Sequence, residues 1–297
     1  MAFFRRPSIL PACVSAVCLS TAGAVAGAGA HQDTIARTAY VTVLDEHDAP
    51  VPDLTAAEIV ILEDDAPRAV TAVAPAAEPL AIALLVDTAK PRMGDQFPTR
   101  DVRAGLSTFV KIVQTASPTA KIAVMDTGGA AVMIQDFTDR TADLTRAINR
   151  LIASQRSSAV VLEALVDAGK AIGRQASARR AVVSIDFDSQ DTSGVQGNDI
   201  AQAIQGAGAC VWAISIRGPG GTAMREAGLD AITEMSGGLR LTAVAASALE
   251  QKLQIVARAL ASQYLVTYER PGGSAVRQVR AVASRGSKVL ATRIIVK

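Results

Sequence analysis

The stretch "LAIALLVDTAKPRMGD", residues Leu80–Asp95, decides the fold class, because a continuous apolar run ends there at an aspartate. Seven apolar residues in a row suit a strand that is buried on both faces, which is typical of a parallel sheet covered by helices. In such open sheets the ligand crevice lies beyond the carboxyl ends of the strands. We therefore expect Asp87 to stand at the mouth of a crevice.

The chain that follows repeats this arrangement. Further apolar runs are "KIAVMD", "AVVSID", "CVWAISI" and "LRLTA", and they alternate with amphipathic stretches. Apolar side chains recur there at helical spacing: Val102, Leu106, Phe109 and Val113; Leu144, Ile148 and Leu151; Leu162, Leu165 and Ile172; Leu249, Leu253, Val256 and Leu260. This alternation predicts an α/β fold with a doubly wound, mostly parallel sheet. Only "TGGA" precedes "VMIQDF", Val132–Phe137, so a hairpin is expected and this segment is predicted to be an antiparallel edge strand.

Short alternating segments flank the α/β region on both sides. "TAYVTVLD", "IVILED" and "RAVTAV" precede it, with a brief "DLTAAE" that Asp53 or Thr55 could cap, and "YLVTYE", "VRQVRAVAS" and "KVLATRIIV" follow it. Three strands cannot bury a face alone, so we expect both sets to form one small β-sandwich; two separate caps are the alternative. The predicted divisions are 31–78, 79–262 and 263–297.

The first thirty residues read as an export signal. Arg5 and Arg6 precede an apolar stretch from Ile9 to Val25, and small residues lead to a cleavage site after Ala30. A membrane anchor is the competing interpretation, but the Gly-rich tail falls short of the roughly 20 strongly apolar residues that a span needs. The sequence thus predicts export to the periplasm, the cell surface or the medium, with no stable membrane span after cleavage.

Composition limits the classes of partner. Aromatic residues make up 3% of the 297 residues, which leaves few faces for stacking bases, so nucleic acid is not expected as a partner. The formal charge of +2 falls to zero once Arg5 and Arg6 are removed with the signal. Cys210 is then the remaining cysteine, and its place in an apolar run predicts a buried, unreactive side chain.

Several segments together resemble the von Willebrand factor type A family. "FTDRTADLTRAINRL", "SSAVVLEALVDA", "AVVSIDFDSQDTSG", "VWAISIRGPGG" and "LDAITEMSGGLRLTA" follow the order of that family, and the terminal segments resemble a secreted bacterial subfamily. The resemblance implies a protein-binding function. It also implies a metal-ion-dependent adhesion site, in which Asp-x-Ser-x-Ser, a loop Thr and a further Asp surround a Mg²⁺-type ion with oxygen ligands.

The residues of that site depart from the family pattern. Asp87 and Asp186 keep the two carboxylate positions, but Ala89, Pro91 and Ala159 stand where the hydroxyl ligands belong. Other oxygen-bearing residues lie nearby without matching the spacing: Thr88, Ser157, Ser158 and Asp188. We therefore interpret Asp87 and Asp186 as a remnant metal site, and expect neither Mg²⁺ nor another cofactor to be bound.

Two aspartates that face one another need a neutralising charge. Lys90 and Arg92 lie in the loop that lacks the serines, so one hypothesis places one of these side chains between the carboxylates as a tethered cation. The alternative is that both point into solvent.

Other motifs are weaker. "DFDSQD", Asp186–Asp191, lacks the glycine and the glutamate of a calcium loop and is predicted to be a solvated loop. "GPGGT", Gly218–Thr222, suits a tight strand-to-helix turn better than a phosphate site. His31 and His47 are the two histidines, which argues against a Ser-His-Asp arrangement and against catalytic zinc.

The resulting prediction is an exported, non-enzymatic protein that binds another protein. Its contact surface is predicted in the loops Asp87–Asp95, Ser154–Val160 and Asp186–Gly197. The residues expected to contact the partner are Asp87, Thr88, Lys90, Arg92, Ser158, Asp186 and Asp188. Two alternatives from other classes stay open: a metal-dependent hydrolase or phosphoryl-binding enzyme that uses Asp87, Asp186 and Asp188, and a structural protein of the envelope.

Overall fold

The computed structural model describes residues 34–91, 96–216, 223–272 and 278–292. The predicted export signal, Arg92 and the "GPGGT" segment lie outside these ranges. From Thr34 onward the chain forms one compact unit. Among the described residues, none of the helices has the length and apolarity that crossing a membrane would require.

The main elements follow one another in the order that the sequence predicts, and two short strands of two residues each are additional. The strands are β1 (Thr34–Leu44), β2 (Ile59–Glu63), β3 (Ala66–Arg68), β4 (Val70–Pro75), β5 (Leu80–Val86), β6 (Lys121–Asp126), β7 (Val132–Thr138), β8 (Ser158–Ala159), β9 (Arg179–Asp186), β10 (Gln190–Asp191), β11 (Cys210–Ile216), β12 (Arg240–Ala243), β13 (Tyr264–Pro271), β14 (Val279–Ala283) and β15 (Lys288–Thr292). The α-helices are α1 (Thr99–Ala116), α2 (Thr141–Arg150), α3 (Val161–Gly173), α4 (Gly197–Ala207), α5 (Ala223–Ser236) and α6 (Leu249–Ala261).

The central sheet has six strands in the order β12-β11-β9-β5-β6-β7. Its strands pair in parallel except β7, which runs antiparallel to β6 at the edge. Every residue of β5 and β11 is buried, because helices cover both faces of the sheet. The doubly wound α/β fold and its antiparallel edge strand are thereby confirmed.

The helices present their apolar stripes to this sheet. Val102, Leu106, Phe109 and Val113 of α1 are each 0% exposed, and α6 packs beside them. Gly105 allows this close packing, since a Cβ there would lie 2.8 Å from Cδ1 of Leu253. Cys210 is 2% exposed, as the sequence predicts for a small buried side chain.

Strands from both ends of the chain form a single sandwich. One sheet has the order β15-β1-β13-β4 and the other has the order β14-β2-β3, so β1 pairs with two strands that follow the α/β region. Their shared core includes Val41, Ile61 and Val266, each 0% exposed. The expected single sandwich is present, and the alternative of two separate caps is wrong.

The structure differs in one detail from the predicted strands. "RAVTAV" contributes to both sheets, because β3 pairs with β2 whereas β4 pairs with β13. Of the two proposed caps, Thr55 is the one that precedes a short 3₁₀ helix, Ala56–Glu58, and its backbone N–H donates to Oε2 of Glu58 at 2.9 Å.

Arg179, 2% exposed, connects the start of the sheet to the ends of two helices. Its guanidinium donates to the carbonyl oxygen of Glu78 at 2.9 Å and to that of Leu260 at 3.2 Å, and to Oγ of Ser117 at 3.3 Å. Helix carbonyls that lack an intrahelical partner are satisfied in this way. These bonds hold the segment that leads into β5, the strand after which Asp87 lies.

Candidate functional site

Asp87 and Asp186 lie side by side at the carboxyl edge of the sheet. β5 and β9 are neighbours, and Val86 pairs with Ile185 directly before the two aspartates. The backbone N–H of Asp87 donates to the carbonyl oxygen of Ile185 at 2.9 Å. Both aspartates are 0% exposed, so the crevice that the sequence predicts brings two carboxylates into the interior.

The cation between these carboxylates is Arg225, in the first turn of α5. Its Nη1 lies 3.7 Å from Oδ2 of Asp87, and its Nη2 lies 3.5 Å from Oδ1 of Asp186. Arg225 is 2% exposed. A guanidinium presents donors in a planar fork, which lets one side chain face both carboxylates.

Two further hydrogen bonds fix the guanidinium. Nη1 of Arg225 donates to Oγ of Ser189 at 3.1 Å, and Nη2 donates to the carbonyl oxygen of Phe187 at 2.6 Å. Both acceptors lie in the loop that follows Asp186. The loop after Asp186 therefore holds the guanidinium of Arg225 beside the carboxylate of Asp186.

The carboxylate of Asp87 is fully occupied by partners within the protein. Oδ1 accepts a hydrogen bond from the backbone N–H of Ala89 at 2.9 Å. Oδ2 accepts from Oγ of Ser189 at 2.5 Å and from the N–H of Phe187 at 3.4 Å. Burial raises the pKa of Asp87 to about 7, with a smaller contribution from Asp186, whereas Ser189, Arg225 and Ala89 act to lower that pKa.

Asp186 begins a chain of polar contacts that leads to the surface. Its Oδ2 accepts a hydrogen bond from Oγ of Ser215 at 2.7 Å, and that same Oγ accepts from Nε of Arg240 at 3.2 Å. Arg240 in turn pairs with exposed Asp230 at 2.7 Å. Charges alternate along this route, which favours the buried ionised groups.

The residues around Asp87 do not fit a divalent ion of the kind that the family resemblance implies. Ala89, Pro91 and Ala159 are buried and carry no side-chain oxygen, and the guanidinium of Arg225 lies between the two carboxylates. Octahedral Mg²⁺ requires oxygen ligands at about 2.1 Å on several sides. Within the described ranges, no group of three or more His, Cys, Asp or Glu could hold a metal ion.

Thr88 is directed away from the two aspartates. Its Oγ1 donates a hydrogen bond to Oδ1 of Asp126 at 2.6 Å. Oδ1 of Asp126 also accepts a hydrogen bond from the backbone N–H of Gly128 at 2.8 Å. Thr88 is 0% exposed, so its hydroxyl serves to join the loop after β5 to the loop after β6. A Cβ at Gly128 would lie 2.3 Å from Oγ1 of Thr88, so the contact requires glycine.

The loop before α3 is tied to the same region. The N–H of Ser154 donates to the carbonyl oxygen of Thr88 at 2.9 Å, and the N–H of Lys90 donates to that of Arg156 at 2.9 Å. The side chain of Lys90 is exposed. The hypothesis that Lys90 supplies the tethered cation is therefore wrong, because Arg225 holds that position; Arg92 lies outside the described residues.

Apart from the exposed Gln190, the "DFDSQD" segment is buried, not solvated as predicted. Asp188 is 5% exposed and Asp191 is 8% exposed. Oδ2 of Asp191 accepts a hydrogen bond from the N–H of Val161 at 3.0 Å, and Oγ of Ser193 accepts from the N–H of Glu163 at 3.1 Å. These two side chains cap α3 from another loop, since its own N-cap residue, Val160, has no polar side chain.

The structure thus divides the residues that the sequence nominates for partner contact. Lys90 is exposed and Ser158 is half-buried. The other four described candidates are buried: Asp87, Thr88, Asp186 and Asp188. Ser158 lies in β8 and pairs with Gln190 of β10, which joins the second and third predicted contact loops.

Sequence reasoning missed Arg225, Ser189, Ser215 and Arg240. A signal for Arg225 exists, because a basic residue in the first turn of a helix opposes the helix dipole and so needs a local anion. α5 begins at Ala223 just beyond the carboxyl end of β11, which is the edge where both aspartates lie. Ser189 and Ser215 give no comparable signal.

Solved structures of other proteins show the class of this fold. A von Willebrand factor type A protein from Catenulispora acidiphila is 13% identical with a TM-score of 0.50, over 88% of this chain and 71% of that one. Proximal thread matrix protein 1 from the mussel byssus is 14% identical with a TM-score of 0.52, over 67% of this chain and 49% of that one. The von Willebrand factor domain of a type V pilus tip protein from Porphyromonas gingivalis is 19% identical with a TM-score of 0.34, over 37% and 38%.

The similarity to the Catenulispora protein agrees with the resemblance in the sequence: the α/β region has a von Willebrand factor type A fold. The chain spans less than half the length of the mussel protein and of the pilus tip protein. No protein-family model matches the sequence. The search of curated proteins likewise gives no match.

Proposed function

We propose that this protein is an exported, non-enzymatic module that binds another protein without a divalent ion. The observation that carries the proposal is the Arg225 guanidinium between Asp87 and Asp186. A cation supplied by the chain itself is always present, so the loops around it need no metal to take up one arrangement. Recognition then depends on the exposed residues of those loops.

The buried candidates have a positioning role in this proposal. The side-chain oxygens of Asp87, Thr88 and Asp186 form hydrogen bonds within the protein, to Ser189 in the loop after β9, to Asp126 at the end of β6 and to Ser215 in β11. The partner would touch the side chains above them, including Lys90 and Ser158. Loops held by a rigid scaffold are where binding residues are commonly found.

The fold and the sequence support the class of function. The mussel protein with the same fold is, by its name, a matrix protein of the byssal thread. The predicted signal ending at Ala30 supports export, and the histidine count argues against hydrolytic sites of the Ser-His-Asp kind. A hydrolase that uses Asp87, Asp186 and Asp188 would need to release those buried carboxylates from their internal partners.

Thermal melting of the mature protein tests the metal-free site. We expect the same melting temperature with Mg²⁺, Mn²⁺ or a chelator, because a ligand stabilises a fold only when it binds the folded state. A rise of several degrees with either ion, reversed by the chelator, would overturn the proposal. The non-enzymatic part is tested with chromogenic phosphate and carboxylate esters. It would be overturned if the protein hydrolysed them and the double substitution Asp87→Ala with Asp186→Ala abolished that hydrolysis.

Export is tested separately by producing the full chain in a bacterial host and sequencing the N terminus of the released protein. We expect the mature chain to begin at His31. An intact N terminus in the cytoplasmic fraction would contradict export without bearing on the metal test.

A further inference from the structure

Three loops at the carboxyl edge form one rigid surface beside the buried aspartates. Two backbone hydrogen bonds join the loop of Ser154 and Arg156 to that of Thr88 and Lys90. The side chain of Arg156 then crosses to the third loop, where Nη1 donates to the carbonyl oxygen of Gly129 at 2.8 Å. The backbones of the three loops are therefore tied to one another.

The exposed charges that the structure describes on this surface are positive. Lys90, Arg100, Arg150 and Arg156 are all exposed, and none of them forms an ion pair with any residue in the described part of the chain. Arg103, one turn after Arg100 in α1, donates to the carbonyl oxygens of Asn149 and Leu151. That contact places the start of α1 beside the end of α2, where Arg150 lies.

The carboxylates that the structure describes in the same segments do not offset these charges. Asp87 is buried and paired with Arg225, and Oδ1 of Asp126 accepts hydrogen bonds from Thr88 and Gly128. Asp101 is half-buried in the first turn of α1. A chain whose mature form has no net charge thus presents a concentration of basic groups at one place.

An apolar side chain lies among the basic ones. Ile152 is 64% exposed and stands between Arg150 and Arg156 in the sequence, directly after the buried Leu151. Interfaces commonly combine an apolar anchor with a charged rim. We call Lys90, Arg100, Arg150, Ile152 and Arg156 the basic platform.

We propose that the basic platform binds an acidic segment of another protein, with an apolar side chain of that segment packed on Ile152. This inference rests on the proposed function, since it names the partner of the same edge. A protein segment fits better than nucleic acid, because the platform has no aromatic side chain on which bases could stack. Carboxylates also match the fork of an arginine, which donates two parallel hydrogen bonds to the two carboxylate oxygens.

The test uses the full mature protein and a short fluorescent peptide in which Glu and Leu alternate. Fluorescence anisotropy at low salt should show binding that weakens as salt is added, because exposed charge pairs are screened. A peptide with Gln in place of Glu should bind much more weakly. Equal binding of both peptides would overturn the inference.

A matched pair of double variants locates the binding surface. Lys90→Gln with Arg150→Gln should weaken peptide binding by about threefold to tenfold, as expected for two exposed charge pairs. Lys121→Gln with Arg174→Gln removes the same charges from exposed positions away from the platform, Lys121 at the start of β6 and Arg174 at the end of α3, and should leave binding unchanged. Equal losses of peptide binding in the two double variants would show attraction by overall charge and would overturn the inference. Binding of an oligo-dT strand as tightly as the acidic peptide would also overturn it.

The two proposals fail in different measurements. If the protein binds neither the peptide nor Mg²⁺ or Mn²⁺, only the proposal of an acidic partner fails. If the protein binds the peptide and is stabilised by either ion, the proposal of a metal-free site fails.

Discussion

Arg225 Nη1 lies 3.7 Å from Asp87 Oδ2, although Arg225 follows β11 and Asp87 follows β5, with β9 between those strands. The same guanidinium reaches Asp186 at 3.5 Å. Two carboxylates and one guanidinium thus share an interior where all three are 2% exposed or less. Their formal charges sum to minus one, which agrees with the raised pKa of Asp87, since one bound proton would neutralise the group.

Replacing the arginine should strongly destabilise the fold. Arg225→Met leaves two buried carboxylates without their cation, and loss of one partner from a buried pair costs about 3–5 kcal/mol. We expect a fall of that size in the free energy of unfolding, measured by urea denaturation. Arg258→Met on the exposed side of α6 is the matched control and should change it by less than about 0.5 kcal/mol.

The charge itself can be separated from packing in the same experiment. Arg225→Met combined with Asp87→Asn and Asp186→Asn removes all three charges, so it should be more stable than Arg225→Met alone. If the triple variant were no more stable than the single one, the destabilisation would come from lost packing and not from unpaired carboxylates.

Divalent-ion binding should appear once the hydroxyls return and the arginine leaves. Ala89→Ser, Pro91→Ser, Ala159→Thr and Arg225→Ala together supply the oxygen ligands and vacate the space between the carboxylates. We expect Mg²⁺ at a hundredfold excess over its dissociation constant to add about 2.7 kcal/mol of stability, seen as a rise in melting temperature. The three hydroxyl substitutions with Arg225 retained should show no such rise, and an equal rise would mean that the arginine does not exclude the ion.

Much of the fold could be predicted from the sequence because it depends on periodic burial. The continuous apolar runs of β5 and β11 and the stripe from Val102 to Val113 identify two buried strands and one sheet-covering helix without knowledge of the tertiary contacts. The hairpin to β7 was also predictable, since the short loop allows only an antiparallel neighbour. The split of "RAVTAV" between two sheets, with Arg68 in β3 and the residues from Val70 in β4, was not, because nothing in its alternation marks a break at Ala69.

The site could be predicted only in part. Asp87 and Asp186 each end an apolar run, so their place at the carboxyl edge followed from the topology. The cation could not be chosen in this way, because a loop lysine close in sequence and a helix arginine far from it are equally able to carry the charge. Burial of Asp188 and Asp191 was missed for a similar reason: capping of α3 by Asp191 is a contact between distant segments.

Stability should depend on pH through Asp87. Its pKa is raised from 3.8 to about 7, so the folded state binds a proton that the unfolded state has released. The stabilising contribution is therefore complete below about pH 4 and is lost as pH rises through about 7. We expect Asp87→Asn to remove this component, so that the wild-type advantage over the variant shrinks by at most about 1.4 kcal/mol per pH unit across that window. Parallel pH profiles for the two proteins, measured by urea denaturation, would contradict this assignment.

Gly128→Ala should loosen the contact between the loops after β5 and β6. A Cβ at this position would meet Oγ1 of Thr88 at 2.3 Å and the backbone nitrogen of Ala89 at 3.0 Å, so Thr88 must move away from Asp126. We expect a loss of about 1–3 kcal/mol in the free energy of unfolding, as for other overpacked sites. Gly206→Ala is the control, because nothing lies within 4 Å of its added Cβ and alanine favours the helix by up to about 1 kcal/mol. Gly128→Ala should also weaken binding of the acidic peptide, because the basic platform includes the loop of Lys90, whereas Gly206→Ala should leave binding intact. Unchanged peptide binding by a destabilised Gly128→Ala protein would show that the platform does not depend on the contact between Thr88 and Asp126.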